Sequence, residues 1–319
     1  MVKIDLITGF LGSGKTSFLK KYAAHCMAQG EHICILENDF GAVNVDMMLL
    51  QELTGDHCDM EMVAGGCDKD CHIRRFKTKL IAMGMCGYDR VIVEPSGIFD
   101  MDEFFDVLRE DPLERWYEID QVIAIVDAGL PDSLSEASEY VLASQIAHAG
   151  SLVFSKVQEV PDGEREEKKT ELVQHIGRAL KEIGANALAY RGLEHILWKD
   201  WKQLQEEDYA YIQQGHYQNA SYVKRGQIEE EGFQTAYFMH IHMDRECFTD
   251  NVEDLFRDES YGHVLRVKGF MKEKDGWMEM NAVRDKIQIR PIPNGQEVII
   301  VIGENLKQKE LEDYWNQTR

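Results

Sequence analysis

The chain has 319 residues, 44% of them hydrophobic, which is enough for about two domains with a proper core. Acidic residues number 57 against 35 basic ones, and the formal charge of −22 repels phosphate backbones and argues against general nucleic-acid binding. Residues 1–30 lack a basic start followed by an unbroken apolar run, no stretch approaches a membrane span, and seven cysteines without an export signal read as reduced thiols, so a cytoplasmic protein with no membrane contact is expected.

The first predicted element is a short β-rich stretch, Lys3 to Thr8, followed by Gly9-Phe10-Leu11-Gly12-Ser13-Gly14-Lys15-Thr16 and then by a helix that opens at Ser17. The eight residues fit G-x-x-x-x-G-K-[ST] in full, in the strand–loop–helix context that the motif needs. Glycines let backbone N–H groups turn inward on phosphate oxygens, and a helix N-terminus favours negative charge. Gly12, Ser13, Gly14, Lys15, Thr16 and Ser17 are therefore expected to bind nucleotide, with Lys15 on the β- and γ-phosphates and Thr16 on Mg²⁺.

Next come a strand over His32–Leu36 running into Glu37-Asn38-Asp39-Phe40-Gly41, and a loop over His57–His72 that carries glycine and cysteine. Ile73, Phe76, Leu80 and Met83 stand at helical spacing. A buried strand, Arg90–Glu94, leads into Pro95-Ser96-Gly97. Helix near 101–110, strand 121–127, helix near 134–148, strand 151–155, helix near 163–183 and a last strand over Ala185–Tyr190 complete the series. Apolar strands alternating with helices predict an α/β fold, a doubly wound parallel sheet covered on both faces over residues 1–197. Ligands bind such sheets at the carboxyl ends of the strands, where Thr8, Glu37, Glu94 and Ser155 should share one rim.

Residues 198–232 are rich in Gln, Glu and Tyr without a clean period and read as a linker. A smaller α+β C-terminal domain over 233–319 follows: strand 234–242, helix 244–258, strands at 263–272, 277–280, 287–290 and 297–303, and a final helix at 307–315. His240 and His242 alternate along the first of these strands and would share one face, more often toward solvent than toward a metal.

Several residues carry chemistry. Glu94 ends a buried strand where an acid holds Mg²⁺ through water, and the Gly97 N–H can meet a γ-phosphate. Glu37 and Asp39 end the second strand. Two carboxylates facing a triphosphate make sense with a cation or an activated water between them, so Asp39 is the candidate for Mg²⁺-linked water positioning and Glu37 for a second metal. Lys15, Asp39 and Glu94 form the expected catalytic set. Cys67 and Cys71 lie four apart, His72 is adjacent and Cys58 can fold back. Thiolates with an imidazole suit Zn²⁺ or a neighbouring transition metal, although free cysteines are also common as buried small hydrophobes. Ser155-Lys156-Val157-Gln158 closes the fifth strand, where a segment reading the nucleotide base would sit. The Lys156 stem can cover the base, but Gln158 offers an amide where a guanine-specifying carboxylate would accept two N–H bonds.

Taken together, Gly9–Thr16, Glu37–Gly41, Glu94–Gly97, Val126-Asp127-Ala128, Leu265–Phe270 and Val301-Ile302-Gly303 resemble the CobW-type P-loop GTPases, relatives of the HypB and UreG accessory GTPases for hydrogenase and urease. The resemblance implies a P-loop NTPase fold and slow hydrolysis of GTP, or of ATP given Gln158, with Mg²⁺. It also implies a transition metal (Zn²⁺, Co, Ni or Fe) held near the phosphates, and a client metalloprotein or cofactor-synthesis enzyme that receives it. A homodimer is compatible with it. The chain departs from the family's G-C-x-C-C: after Gly66-Cys67 come Asp68-Lys69-Asp70, with Cys71 and His72 as stand-ins for the missing thiols. A nucleotide-gated metallochaperone is the reading adopted. The alternative is a nucleotide-dependent activator of a metallo- or corrinoid enzyme that carries no metal itself.

Overall fold

The computed structural model describes residues 1–39, 50–64, 69–96, 101–224, 233–274, 276–284, 286–293 and 295–317. The chain divides into two compact units, Met1–Lys224 and Arg225–Arg319.

The first unit is built on seven strands: β1 (Val2–Thr8), β2 (Ile33–Asp39), β3 (Cys58–Ala64), β4 (Arg90–Pro95), β5 (Tyr117–Asp127), β6 (Ser151–Ser155) and β7 (Ile196–Trp198). They lie in the order β3-β2-β4-β1-β5-β6-β7, and every neighbouring pair is parallel. Helices α1 (Lys15–Ala28), α2 (Lys69–Gly84), α3 (Met101–Leu108), α4 (Leu113–Trp116), α5 (Glu136–Ala147), α6 (Arg165–Glu182) and α7 (Glu206–Gln213) accompany them. The strands are apolar almost throughout because parallel sheets are covered on both faces. On one face Ile7, Ile33, Ile35, Ile92, Ile123, Ile125 and Val153 meet Phe18, Leu19, Tyr22 and Ala23 of α1. Each large side chain buried there contributes about 1.5–3 kcal/mol.

Three expectations are corrected in this unit. The stretch read as loop over His57–His72 contains β3 and the start of α2. Cys58, Met60 and Met62 alternate with Asp59, Glu61 and Val63, the period of an edge strand, and the acids keep that edge from pairing further. The strand expected at Ala185–Tyr190 is a 3₁₀ stretch, Ala187–Glu194, because the Asn186 side chain accepts from Leu188 N (3.2 Å) and turns the chain first; the strand comes later, with Ile196 beside Leu152. The stretch read as a linker belongs to the first unit as far as Lys224. Trp201, Leu204, Tyr209 and Ile212 join the core beside α1, and the carbonyl of Ile212 accepts from Ser151 Oγ (2.7 Å). Residues 225–232 of that stretch lie outside the described residues.

The second unit is a five-stranded antiparallel sheet in the order β11-β10-β9-β12-β8, from β8 (Phe233–Met239), β9 (His263–Glu273), β10 (Gly276–Val283), β11 (Lys286–Ile292) and β12 (Val298–Glu304). Helices α8 (Arg245–Arg257) and α9 (Gln308–Gln317) supply Phe248, Leu255, Leu311 and Trp315 to its core, against Phe238, Val267, Met271, Met280, Ile299 and Val301. Gly269 admits α8 closely: a Cβ there would lie 2.7 Å from the Phe248 ring. This is the α+β layer expected. The histidine pair is not. β8 stops at Met239, His240 takes a left-handed φ of 59°, and exposed His242 pairs through Nδ1 with Glu297 at 2.9 Å.

At the amino ends of β1 and β4 a buried charge cluster holds the first sheet together. Arg90 bonds Asp5 (2.5 Å), Glu31 (2.7 Å) and Asp120 (3.1 Å), while Asp5 also accepts from the Tyr22 hydroxyl (2.8 Å) and the Gln121 N–H (3.1 Å). Burial pushes the Asp5 carboxyl up to about 6 from 3.8. The folded chain thus holds that proton more tightly than the unfolded chain, and this group's share of stability falls as pH rises from 3.8 through 6. Arg90→Ala strands a buried acid and should cost about 3–5 kcal/mol in urea unfolding at neutral pH. The loss should shrink as pH is lowered and Asp5 becomes neutral.

Candidate nucleotide and metal site

β1 ends at Thr8, and the chain then turns on Gly9 with φ 142°; a Cβ there would sit 2.3 Å from the Ile125 carbonyl oxygen. Gln145, fully buried on α5, anchors this turn: its Oε1 accepts from Gly9 N (3.1 Å) and is bonded to the Thr8 hydroxyl. Gly12 (φ 74°) and Gly14 (φ 99°) take left-handed backbone that a side chain would strain. Gly14 is the N-cap of α1, no side chain caps that helix, and its first turn holds no acid. Its leading N–H groups are thus left for an anion. Lys15 arches back so that Nζ donates to the Gly9 carbonyl (3.0 Å), and the buried Ser13 hydroxyl has no hydrogen-bond partner among the described residues. Ser17 is exposed on the first turn of α1.

The neighbouring strands bring two acids to this loop. Thr16 donates its hydroxyl to Glu94 Oε1 (2.8 Å), and Glu37 stands in register with Glu94 across the β2–β4 pair. Both acids are buried, at 3% and 5% exposure, and two buried carboxylates side by side favour a cation between them. Thr16 and Glu94 are hard oxygen donors already in contact, which fits Mg²⁺. When bound, the ion would neutralise charge on the phosphates. Asp39 closes β2, but its side chain lies outside the described residues, as do Gly97 and Cys67.

At the end of β6, Lys156 adopts a left-handed φ of 56°; Nζ is ion-paired with Asp127 and lies 3.4 Å from the Gly12 carbonyl oxygen. Ser155 is buried, its hydroxyl 3.4 Å from the Val126 carbonyl, and Gln158 is exposed. Trp201 backs the glycine loop: a Cβ at Gly14 would be 3.4 Å from its ring and 3.6 Å from Ser155 Cβ.

Of the cysteine segment, the described residues include Cys58, Cys71 and His72. Cys71 is half-buried on the first turn of α2. His72, with no exposed surface, has Nε2 at 2.7 Å from Asn38 Oδ1. Cys58 opens β3 at the far end of a seven-residue strand, about 20 Å from its exit, and burial pushes its thiol up to about 11. It does not fold back onto Cys71. Among the described residues no three His, Cys, Asp or Glu side chains come together to hold a metal ion, so Glu37, Cys71 and His72 do not form a ligand group by themselves. Gln145 carries no sequence signal on an otherwise ordinary helix, and Trp201 lies within the 198–232 stretch that reads as a linker in sequence.

Residues 3–183 match the family described as CobW/HypB/UreG, nucleotide-binding domain, and residues 239–319 match the Cobalamin synthesis protein cobW C-terminal domain. The chain belongs to the CobW/HypB/UreG family. Among curated relatives it is 30% identical over 157 residues to the "Zinc chaperone YeiR" of Escherichia coli K12, covering 49% of this chain and 47% of that protein. It is 28% identical over 175 residues to the "Zinc chaperone YjiA" of the same organism, covering 51% of this chain and 52% of that one. It is 25% identical over 163 residues to the "Zinc-regulated GTPase metalloprotein activator 1" of Schizosaccharomyces pombe, covering 49% and 39%. The aligned stretch thus spans about half the length of the first two relatives and 39% of the third. Among the described residues no helix is long and apolar enough to cross a membrane.

Within this CobW-family site, Lys15→Ala should weaken Mg²⁺-triphosphate binding by about 2 kcal/mol or more, over tenfold, in calorimetric titration. Triphosphate binding should change the fluorescence of Trp201 against the loop, and Trp201→Phe should remove most of that change.

Proposed function

We propose that the chain is a nucleotide-gated carrier of a transition metal. It binds GTP with Mg²⁺, hydrolyses it slowly and hands the metal to a client metalloprotein. The observation that carries this reading is the joint placement of Thr16, Glu94 and Glu37 at the mouth of the glycine loop. β2 and β3 run in register up to Asp39 and Ala64, so β3 ends at the same rim, three residues before Cys67 in the sequence.

In this proposal Gly12, Ser13, Gly14, Lys15, Thr16 and Ser17 hold the phosphates. Thr16 and Glu94, with Asp39, hold Mg²⁺, and Gly97 meets the γ-phosphate. Lys156 covers the base. Its pairing with Asp127 would fix the stem beside Gly12. The carried metal is cargo, with Cys67 and Cys71 as its soft ligands and Glu37 at the edge of the site. The relatives named as zinc chaperones support Zn²⁺ as that cargo, and the relative named as a zinc-regulated GTPase activator supports GTP as the nucleotide.

Competition with a chromophoric chelator should give a Zn²⁺ affinity that differs between the GDP state and the non-hydrolysable GTP-analogue state. The difference should be about tenfold, within the usual range of coupling between sites. Cys67→Ala should abolish binding in both states. Equal affinity in every nucleotide state would exclude gating. Full GTPase activity with no metal bound by the purified protein would favour an activator that carries none. Hydrolysis of GTP against ATP decides the base.

A further inference from the structure

β2 presents successive side chains to opposite faces of the sheet. Glu37 follows Ile33 and Ile35 on the face covered by α1. Asn38 therefore faces the other side, where it meets α2: His72 Nε2 lies 2.7 Å from Asn38 Oδ1, and both residues have no exposed surface. An amide oxygen only accepts, so the imidazole donates and its Nε2 carries the proton. The same asparagine also ties down the end of β4, since its backbone carbonyl accepts the Ser96 N–H at 2.9 Å. Asn38 is thus bonded at once to the helix that bears Cys71 and to the residue two places after Glu94. Its neighbour Glu37 stands opposite Glu94, and Glu94 holds the Thr16 hydroxyl.

The chain of contacts from Thr16 through Glu94, the β2–β4 pair and Asn38 to His72 is short, and it is buried from Glu94 inward. A displacement of the β2 end by the γ-phosphate and its ion would be felt first at Asn38 Oδ1, because a hydrogen bond of this length weakens steeply with distance and angle. We infer that the Asn38–His72 hydrogen bond transmits the nucleotide state of the rim to α2, so that His72 is a positioning residue for the metal segment and not one of its ligands. This deepens the carrier reading proposed above and rests on it for its physiological meaning, while the link itself exists without cargo metal.

The link can be read without any transition metal. Hydrogen exchange of the α2 amides is followed in the metal-free full chain, with GDP and with a non-hydrolysable GTP analogue plus Mg²⁺. Wild type should show nucleotide-dependent protection over 69–84. His72→Gln, whose amide can donate in place of Nε2, should retain it. His72→Leu should lose it while still binding the analogue. Asn38→Ala removes the same bond from the other side and serves if His72→Leu does not fold. In parallel, the ratio of Zn²⁺ affinities between the two nucleotide states, about tenfold in wild type, should fall to near one in His72→Leu and stay wild-type-like in His72→Gln. Protection that is absent in wild type, or that survives both His72→Leu and Asn38→Ala, overturns the inference. So does a fall in Zn²⁺ affinity with both His72 variants that is equal in the two nucleotide states, since that marks a ligand. If the protection follows the hydrogen bond but Zn²⁺ affinity ignores the nucleotide in wild type, the link stands and the carrier reading fails.

Discussion

The parallel pairing of β4 with both β1 and β2 is the constraint on which the site depends. β1 feeds the glycine loop, β4 ends in Glu94 and β2 carries Glu37, and the register sets all three at one rim. Parallel ladders cannot slip by one residue without turning every side chain to the wrong face, and here both faces are buried. The register is held from the opposite end, where Arg90 of β4 reaches Asp5 of β1 and Asp120 of β5. A buried ion pair of this kind is weak evidence for net stability, but its loss leaves an uncompensated charge. Its contacts tie β4 to β1 and β5 in the register observed.

That alignment makes β2 a strand with two outputs. Glu37 looks to the phosphate side with α1, while Asn38 looks to α2. Alternation along a strand therefore lets adjacent residues touch the nucleotide rim and the cysteine-bearing helix without any flexible relay. The glycine loop is fixed with equal economy. Gln145 holds its start and Trp201 backs its end, so the phosphate-facing N–H groups are set by packing as well as by backbone conformation.

Thiol chemistry narrows in the same way. Cys34 and Cys58 are buried and their thiols are pushed up to about 12 and about 11, and burial raises Cys26 as well. None of these is poised to ligate a metal as thiolate at neutral pH. Cys71, by contrast, is half-buried on the first turn of α2.

The glycine loop, the alternation of apolar strands with helices and the acids at strand ends were all legible in the residues, because each is local: φ > 0 demands glycine, and a buried parallel strand demands a run of apolar side chains. The antiparallel second unit was legible for the same reason. What stayed hidden depended on partners distant in the chain. Met60 and Met62 form a strand only because β2 offers an edge to Cys58–Ala64, and the Trp201–Ile212 stretch orders only against α1 and β6. His72 stands beside a cysteine in sequence and so reads as a ligand. In three dimensions its Nε2 lies 2.7 Å from Asn38 Oδ1, because a buried imidazole nitrogen must find a hydrogen-bond partner, and that contact with β2 could not be read from the sequence.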